Sequence, residues 1–212
     1  MRVPTTPARR RLSPAEREAQ ITEAAIALAR ADGLTAVTLR GTAASVGVAP
    51  SLVAHYFPAM EDLVGDTFRA IASDEVAEVT RLVARESDPV AQLSVLLAAV
   101  TDPARDDVAV LWADAWSLGR TNDVLAAAAR DVMDEWQRLA TGVVEAGVSA
   151  GVMHTEDPAA VGRLLFALVD ATNGYALVDH LDRSTRDDLV RSTTARAVGL
   201  DAAALGASQL NG

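Results

Sequence analysis

The segment Thr38-Leu39-Arg40-Gly41-Thr42-Ala43-Ala44-Ser45-Val46-Gly47-Val48-Ala49-Pro50-Ser51-Leu52-Val53-Ala54-His55-Tyr56-Phe57-Pro58 decides how the chain is read. Thr38 can cap a short helix carrying Leu39, Ala43 and Val46. Gly47-Val48-Ala49 makes a tight turn, because glycine accepts backbone angles that other residues resist. Pro50 suits the first position of another short helix, running through Tyr56, and Pro58 ends it. Upstream, Ser13-Pro14-Ala15-Glu16 has the form of a capping box. Ile21, Ala25 and Leu28 then recur at helical spacing, and Gly33 supplies a stop. Two short helices about a glycine turn form a helix-turn-helix candidate, the second helix being narrow enough for a DNA major groove. Short helical pairs also occur as plain packing in all-α proteins, so the pattern alone leaves both readings open.

The rest of the chain reads as helix after helix. Met60 to about Glu86 is long, with Leu63, Phe68, Ile71, Val76, Val79 and Leu82 as candidate inner residues. Asp88-Pro89 starts another helix, Val108 to Leu118 carries Trp112 and Trp116, and Asn122 to about Ala150 carries Trp136. Asp157-Pro158 and Thr185 begin the last two. No segment alternates as a strand would, and the fold class is all-α, with about nine helices. The expected organisation is a basic arm over residues 1–12, a helix-turn-helix domain over 13–58, and a larger helical body over 59–212.

Charge divides the same way. Of 212 residues, the first sixty hold seven arginines against four acids, or +3, and the remainder carries −13, giving −10 overall. A basic head on an acidic body places an anionic partner at the head. Every basic residue apart from the histidines is arginine, whose planar fork suits phosphate and guanine edges; compositional bias explains the missing lysine equally well. Half the residues are apolar, enough for a real core, and there is no cysteine, which removes disulfides, thiol catalysis and cysteine-based metal sites. His55, His154 and His180 are scattered without metal spacing, so no metal or other cofactor is expected. The start of the chain lacks the apolar stretch of a signal peptide, and the longest uncharged run, Gly41 to Met60, is broken by Gly47, Pro50 and Pro58. The expectation is a cytoplasmic protein without a membrane span. Gly147-Val148-Ser149-Ala150-Gly151 fits the G-x-S-x-G nucleophile pattern, but that motif needs a strand-to-helix elbow. Here it continues a helical stretch, so an enzyme is not expected.

Beyond periodicity, Ile21-Thr22-Glu23-Ala24-Ala25, Gly33-Leu34, Val37-Thr38-Leu39-Arg40, Ala43, Val46-Gly47-Val48, His55-Tyr56-Phe57-Pro58 and Glu61-Asp62-Leu63 resemble, in order and spacing, the N-terminal domain of TetR-family transcriptional regulators. Leu111-Trp112, Trp116, Trp136, Glu145-Ala146-Gly147, Asp157-Pro158 and Leu168-Val169-Asp170 are similar, less sharply, to the branch typified by betaine-responsive repressors. The resemblance implies that Thr38 and Arg40 meet phosphates, that Ser51, Leu52, Ala54 and His55 face the groove or its wall, and that Tyr56 contacts a phosphate. Val48, Val53 and Phe57 would hold the short helices in place. Arg9, Arg10 and Arg11 either add phosphate contacts or form a plain leader. The sequence departs from the family pattern at Ala54, often aromatic, at Met60, often lysine, and at Ala49-Pro50, which replaces a Ser-Lys type of start. These changes thin out direct base readout and give DNA shape more weight.

In the body, Trp112, Trp116, Trp136 and Phe166, with Asp170 and Asn173, are either ordinary core or the lining of a ligand pocket, and the resemblance favours the pocket. It also implies a homodimer through residues 158–181 and 185–205, with Gly162, Ala167, Ala171 and Gly174 allowing close approach. The implied function is a repressor that binds a pseudo-palindromic double-stranded DNA operator and is released by a small-molecule effector, the long fourth helix linking head to body. The rival reading is a helical small-molecule-binding or adaptor protein that has lost DNA binding.

Overall fold

The computed structural model describes residues 12–206. Among them are nine α-helices, three short 3-10 turns and no strand. The Ser13 hydroxyl accepts from Glu16 N and the Glu16 carboxylate accepts from Ser13 N, closing a capping box on α1 (Pro14–Asp32). Ile21, Ala25 and Ala29 form its buried face. Thr38 accepts from Gly41 N to cap α2 (Leu39–Val46), and Gly47, at φ 71°, ends it in the left-handed conformation. Pro50 opens α3 (Pro50–Tyr56), whose one fully buried side chain is Val53.

Six helices follow: α4 (Met60–Val83), α5 (Pro89–Val100), α6 (Asp106–Leu118), α7 (Asp123–Ser149), α8 (Pro158–Ala176) and α9 (Arg183–Ala197). Asp88, Asn122, Asp157 and Asp182 each cap the helix that follows through a side-chain oxygen. The last helix thus begins at Arg183 rather than Thr185, because Asp182 is its cap. The long α7 is the spine, packing against α4, α5, α6 and α8. Phe68, Leu96, Leu97, Leu111, Leu125 and Leu165 are shut off from solvent around it, each worth about 1.5–3 kcal/mol of burial. The G-x-S-x-G stretch lies at the end of α7. Gly147 is buried against the Met153 side chain and Ser149 is the last helical residue, so the stretch is a helix end, without an elbow.

Candidate nucleic-acid interface and interior cavity

Packing of α1 against α2 and α4, and of α2 against α3, fixes which residues the head presents. Val53 is buried, and Val48 and Phe57 pack half-buried against the core, so these side chains support the head from within. Ser51 and His55, one turn apart on α3, are exposed; Leu52, Ala54 and Tyr56 are half-buried. The Tyr56 ring meets the His55 ring edge-on at 5.3 Å. Thr38 and Arg40 are exposed at the start of α2. The Thr38 oxygen is already engaged by Gly41 N at 3.0 Å, which leaves its hydroxyl proton to donate. Arg40 makes no ion pair or hydrogen bond among the described residues, and its guanidinium is exposed. Arg9, Arg10 and Arg11 lie outside the described residues.

The head is tied to the body at α6. Asp114 accepts from Leu34 N at 2.7 Å, and Arg30 pairs with Asp107 at 3.0 Å. The opposite side of α6 lines an interior cavity of about 40 Å3. Trp112, Trp136, Phe166, Asp170 and Asn173 border it, so five of the six body residues singled out from the sequence come together. Trp136 lies tilted against Phe166 at 5.2 Å, and Trp112 meets Phe68 edge-on at 5.0 Å.

Trp116 is the exception. It rests on Trp112 at 5.3 Å, but is 46% exposed beside a separate surface groove that also holds Arg120 and Arg130. A spacing of four makes two rings neighbours on a helix; it does not set their depth, and the later ring is left nearly half exposed.

The charged wall of the cavity was missed from sequence. Glu75 of α4 faces Arg105 at 3.7 Å, and burial pushes its carboxyl up to about 7 despite that cation. Arg186 of α9 is buried. It donates to the Thr101 carbonyl at 2.5 Å and to Asn173 Oδ1 at 3.1 Å, and faces Asp106 at 3.6 Å. Asn173 is thereby a partner of Arg186 as well as a wall residue. The available signal was register: Glu75 falls in line with Ile71 and Val79, and Arg186 with Val190 and Thr194, so each is an ionic residue on an inward face.

Residues 21–67 match the family profile described as bacterial regulatory proteins, tetR family. The head is thus similar to the N-terminal domain of that family. Solved structures extend the TetR-type likeness over the body. A TetR transcription regulator from Haloarcula marismortui superposes with a TM-score of 0.73 at 19% identity, covering 87% of this chain and 97% of its own. A transcriptional regulator from Saccharomonospora viridis, in complex with choline, gives 0.73 at 20%, covering 86% and 95%. The regulator FadR from Bacillus subtilis, in complex with stearoyl-CoA, gives 0.66 at 16%, covering 85% and 97%. At these identities the body shares their fold. No curated protein sequence matches the chain significantly. Among the described residues no helix is long and apolar enough to cross a membrane, and no cluster of acids and histidines is arranged to hold a metal ion.

Proposed function

We propose that the protein is a ligand-responsive transcriptional repressor, acting in the cytoplasm as a homodimer on a pseudo-palindromic duplex operator. In this reading residues 13–58 bind DNA and 59–212 bind the effector and a second copy. The observation that carries it is one arrangement: α3 exposes Ser51 and His55 and the adjoining α2 exposes Arg40, on a TetR-type head whose supporting helices α4 and α6 also wall a cavity. Thr38, Arg40 and Tyr56 contact phosphates. Ser51, Leu52, Ala54 and His55 meet base edges, Leu52 through thymine methyls. Arg9, Arg10 and Arg11 add phosphate contacts.

The fold leaves the effector open, since proteins of this shape are found with ligands as unlike as choline and stearoyl-CoA. The cavity supports the mechanism. A ligand entering beside Trp112 shifts α6 and α4, which carry the head, and favours a spacing of the two heads that DNA does not match. A coupling of about 1–3 kcal/mol suffices.

Selection from random duplex DNA tests the reading. It should return an inverted repeat with half-sites about one helical turn apart. Arg40→Ala should weaken binding to every selected sequence and reduce the salt slope by about one. Removing residues 1–11 should flatten it further. Failure to retain any duplex at low ionic strength would overturn the proposal in favour of a binding protein without DNA.

A further inference from the structure

We propose that the surface groove beside Trp116 is a ligand site of its own, taking a small aromatic carboxylate. The ligand's ring lies on the exposed indole, and its carboxylate is held by Arg120 and Arg130. The site is separate from the cavity bordered by Trp112 and owes nothing to DNA binding.

The groove runs between the end of α6 and the first half of α7, and its volume is about 190 Å3. Pockets for drug-sized ligands are larger, about 300–1,000 Å3, so the occupant is limited to about one ring with a short substituent. Ala115, Ala126 and Ala129 form an apolar floor. Trp116 is half in water on one side, and on the other it rests on Trp112 at 5.3 Å, with 33° between the ring planes. That backing fixes the indole as a flat surface, and a second flat ring covers such a surface well.

Charge selects the other half of the ligand. From residue 61 onwards the chain holds twelve arginines against twenty-five acids, so the body as a whole repels anions. The groove reverses that sign: two arginines line it, and no carboxylate among the described residues does. Elsewhere on the body Arg69, Arg105, Arg163, Arg183 and Arg186 each face a carboxylate. Arg120 and Arg130 are exposed and make no ion pair or hydrogen bond among the described residues. Planar guanidiniums match a planar carboxylate. A cationic ligand would be repelled by both, and a neutral one would leave both unused.

The test uses the full chain without DNA, followed by the indole N–H signals of its three tryptophans in two-dimensional NMR, each assigned by a Trp→Phe variant. The probes are benzoate, benzamide and acetate at matched ionic strength. Benzoate should move the Trp116 signal saturably, and the Trp112 signal less, through the ring contact. Trp136, across the cavity, should stay still. Benzamide, which lacks the charge, and acetate, which lacks the ring, should each need about tenfold higher concentration. Arg120→Gln and Arg130→Gln should each weaken benzoate about threefold, and the double variant about tenfold, with benzamide unaffected. Trp116→Ala, read by calorimetry, should also weaken benzoate about threefold or more.

Equal binding of benzamide or of acetate, no saturable shift with any probe, or unchanged benzoate affinity in the double arginine variant would each overturn the proposal. A largest shift at Trp136 would do so too, by placing benzoate in the cavity. A fall in sedimenting mass in the double variant would give the groove to a second copy of the chain. Weaker duplex binding by that variant, with no benzoate present, would give it to DNA phosphates. A protein that binds benzoate at Trp116 yet ignores every duplex keeps this site and loses the repressor reading.

Discussion

Asp114, in the middle of α6, accepts a hydrogen bond from the backbone nitrogen of Leu34 at 2.7 Å, across a separation of 80 residues. The bond joins the turn after α1 to the helix that carries Trp112 on its other side. With the exposed Arg30–Asp107 pair, worth at most about 1 kcal/mol, it is where α6 grips the head. Asp114→Ala strands the Leu34 N–H and should cost about 1–3 kcal/mol in a urea titration. Asp114→Asn keeps an acceptor and should cost less. Asp114 does not line the cavity, so ligand affinity should be unchanged in both variants, while the effect of ligand on operator affinity shrinks. A full ligand response in Asp114→Ala would remove α6 from the coupling route.

Two glycines near this junction should respond differently to alanine. Gly47 has φ 71° and open space where a side chain would start, so Gly47→Ala carries only the backbone penalty, about 1 kcal/mol. Gly33 has φ 83°, and an added Cβ would sit 2.7 Å from the Asp114 carboxylate oxygen. Gly33→Ala adds a collision to the strain and breaks the bond to Leu34. Melting curves should show the larger loss at Gly33, and Asn should rescue Gly47 better than Ala does.

Stability should also fall as pH rises through the weakly acidic range. Glu75 is raised from 4.5 to about 7, and Asp170 from 3.8 to about 6. Between the lower and upper values the folded chain holds protons that the unfolded chain has released, so raising the pH favours unfolding. Asp182, exposed and lowered from 3.8 to about 2 by its bonds to Thr185 and Ser184, acts only below that window, its contribution fading as acid protonates it. Urea midpoints should therefore be higher at pH 5 than at pH 7.5. Glu75→Gln and Asp170→Asn should each flatten the slope, and a parent midpoint that rises towards pH 7.5 would contradict it.

The helices were legible because their ends are written locally. Ser13 with Glu16, Thr38, Pro50, Asp88-Pro89, Asn122 and Asp157-Pro158 each stand where a helix begins. The turn at Gly47 was legible because the left-handed angle narrows the choice of residue. The aromatic side of the cavity could be read in part, since Trp112, Trp136 and Phe166 lie on inward faces. Its ionic side could not. Glu75, Arg105 and Arg186 come from α4, the turn before α6, and α9, and only packing makes them neighbours. For the same reason Trp116 was assigned to the cavity although it lies outside, and Gly162 was offered to a second copy although its own α7 meets it. A Cβ there would stand 2.9 Å from Thr141 Oγ1.

The outward face of α8 tests the proposed dimer. Leu164, Ala167, Ala171, Gly174 and Tyr175 recur at helical spacing, all exposed, Tyr175 at 49%, and Val178 in the turn after the helix is 72% exposed. A continuous apolar stripe of this kind is costly to leave in water, and a second copy would cover it with its own stripe across a twofold axis. The protein should sediment at about twice its 22.2 kDa chain mass. Leu164→Glu sets a charge into the stripe and should weaken association by about 2 kcal/mol or more, some thirtyfold. Val110→Glu is the control, because Val110 is as exposed as Leu164, 39% in each case, but lies on α6. It should leave the mass unchanged. Operator binding should weaken with the first substitution and survive the second, since a single head forfeits the half-site held by its twin. A Leu164→Glu protein that stays dimeric would move the interface elsewhere.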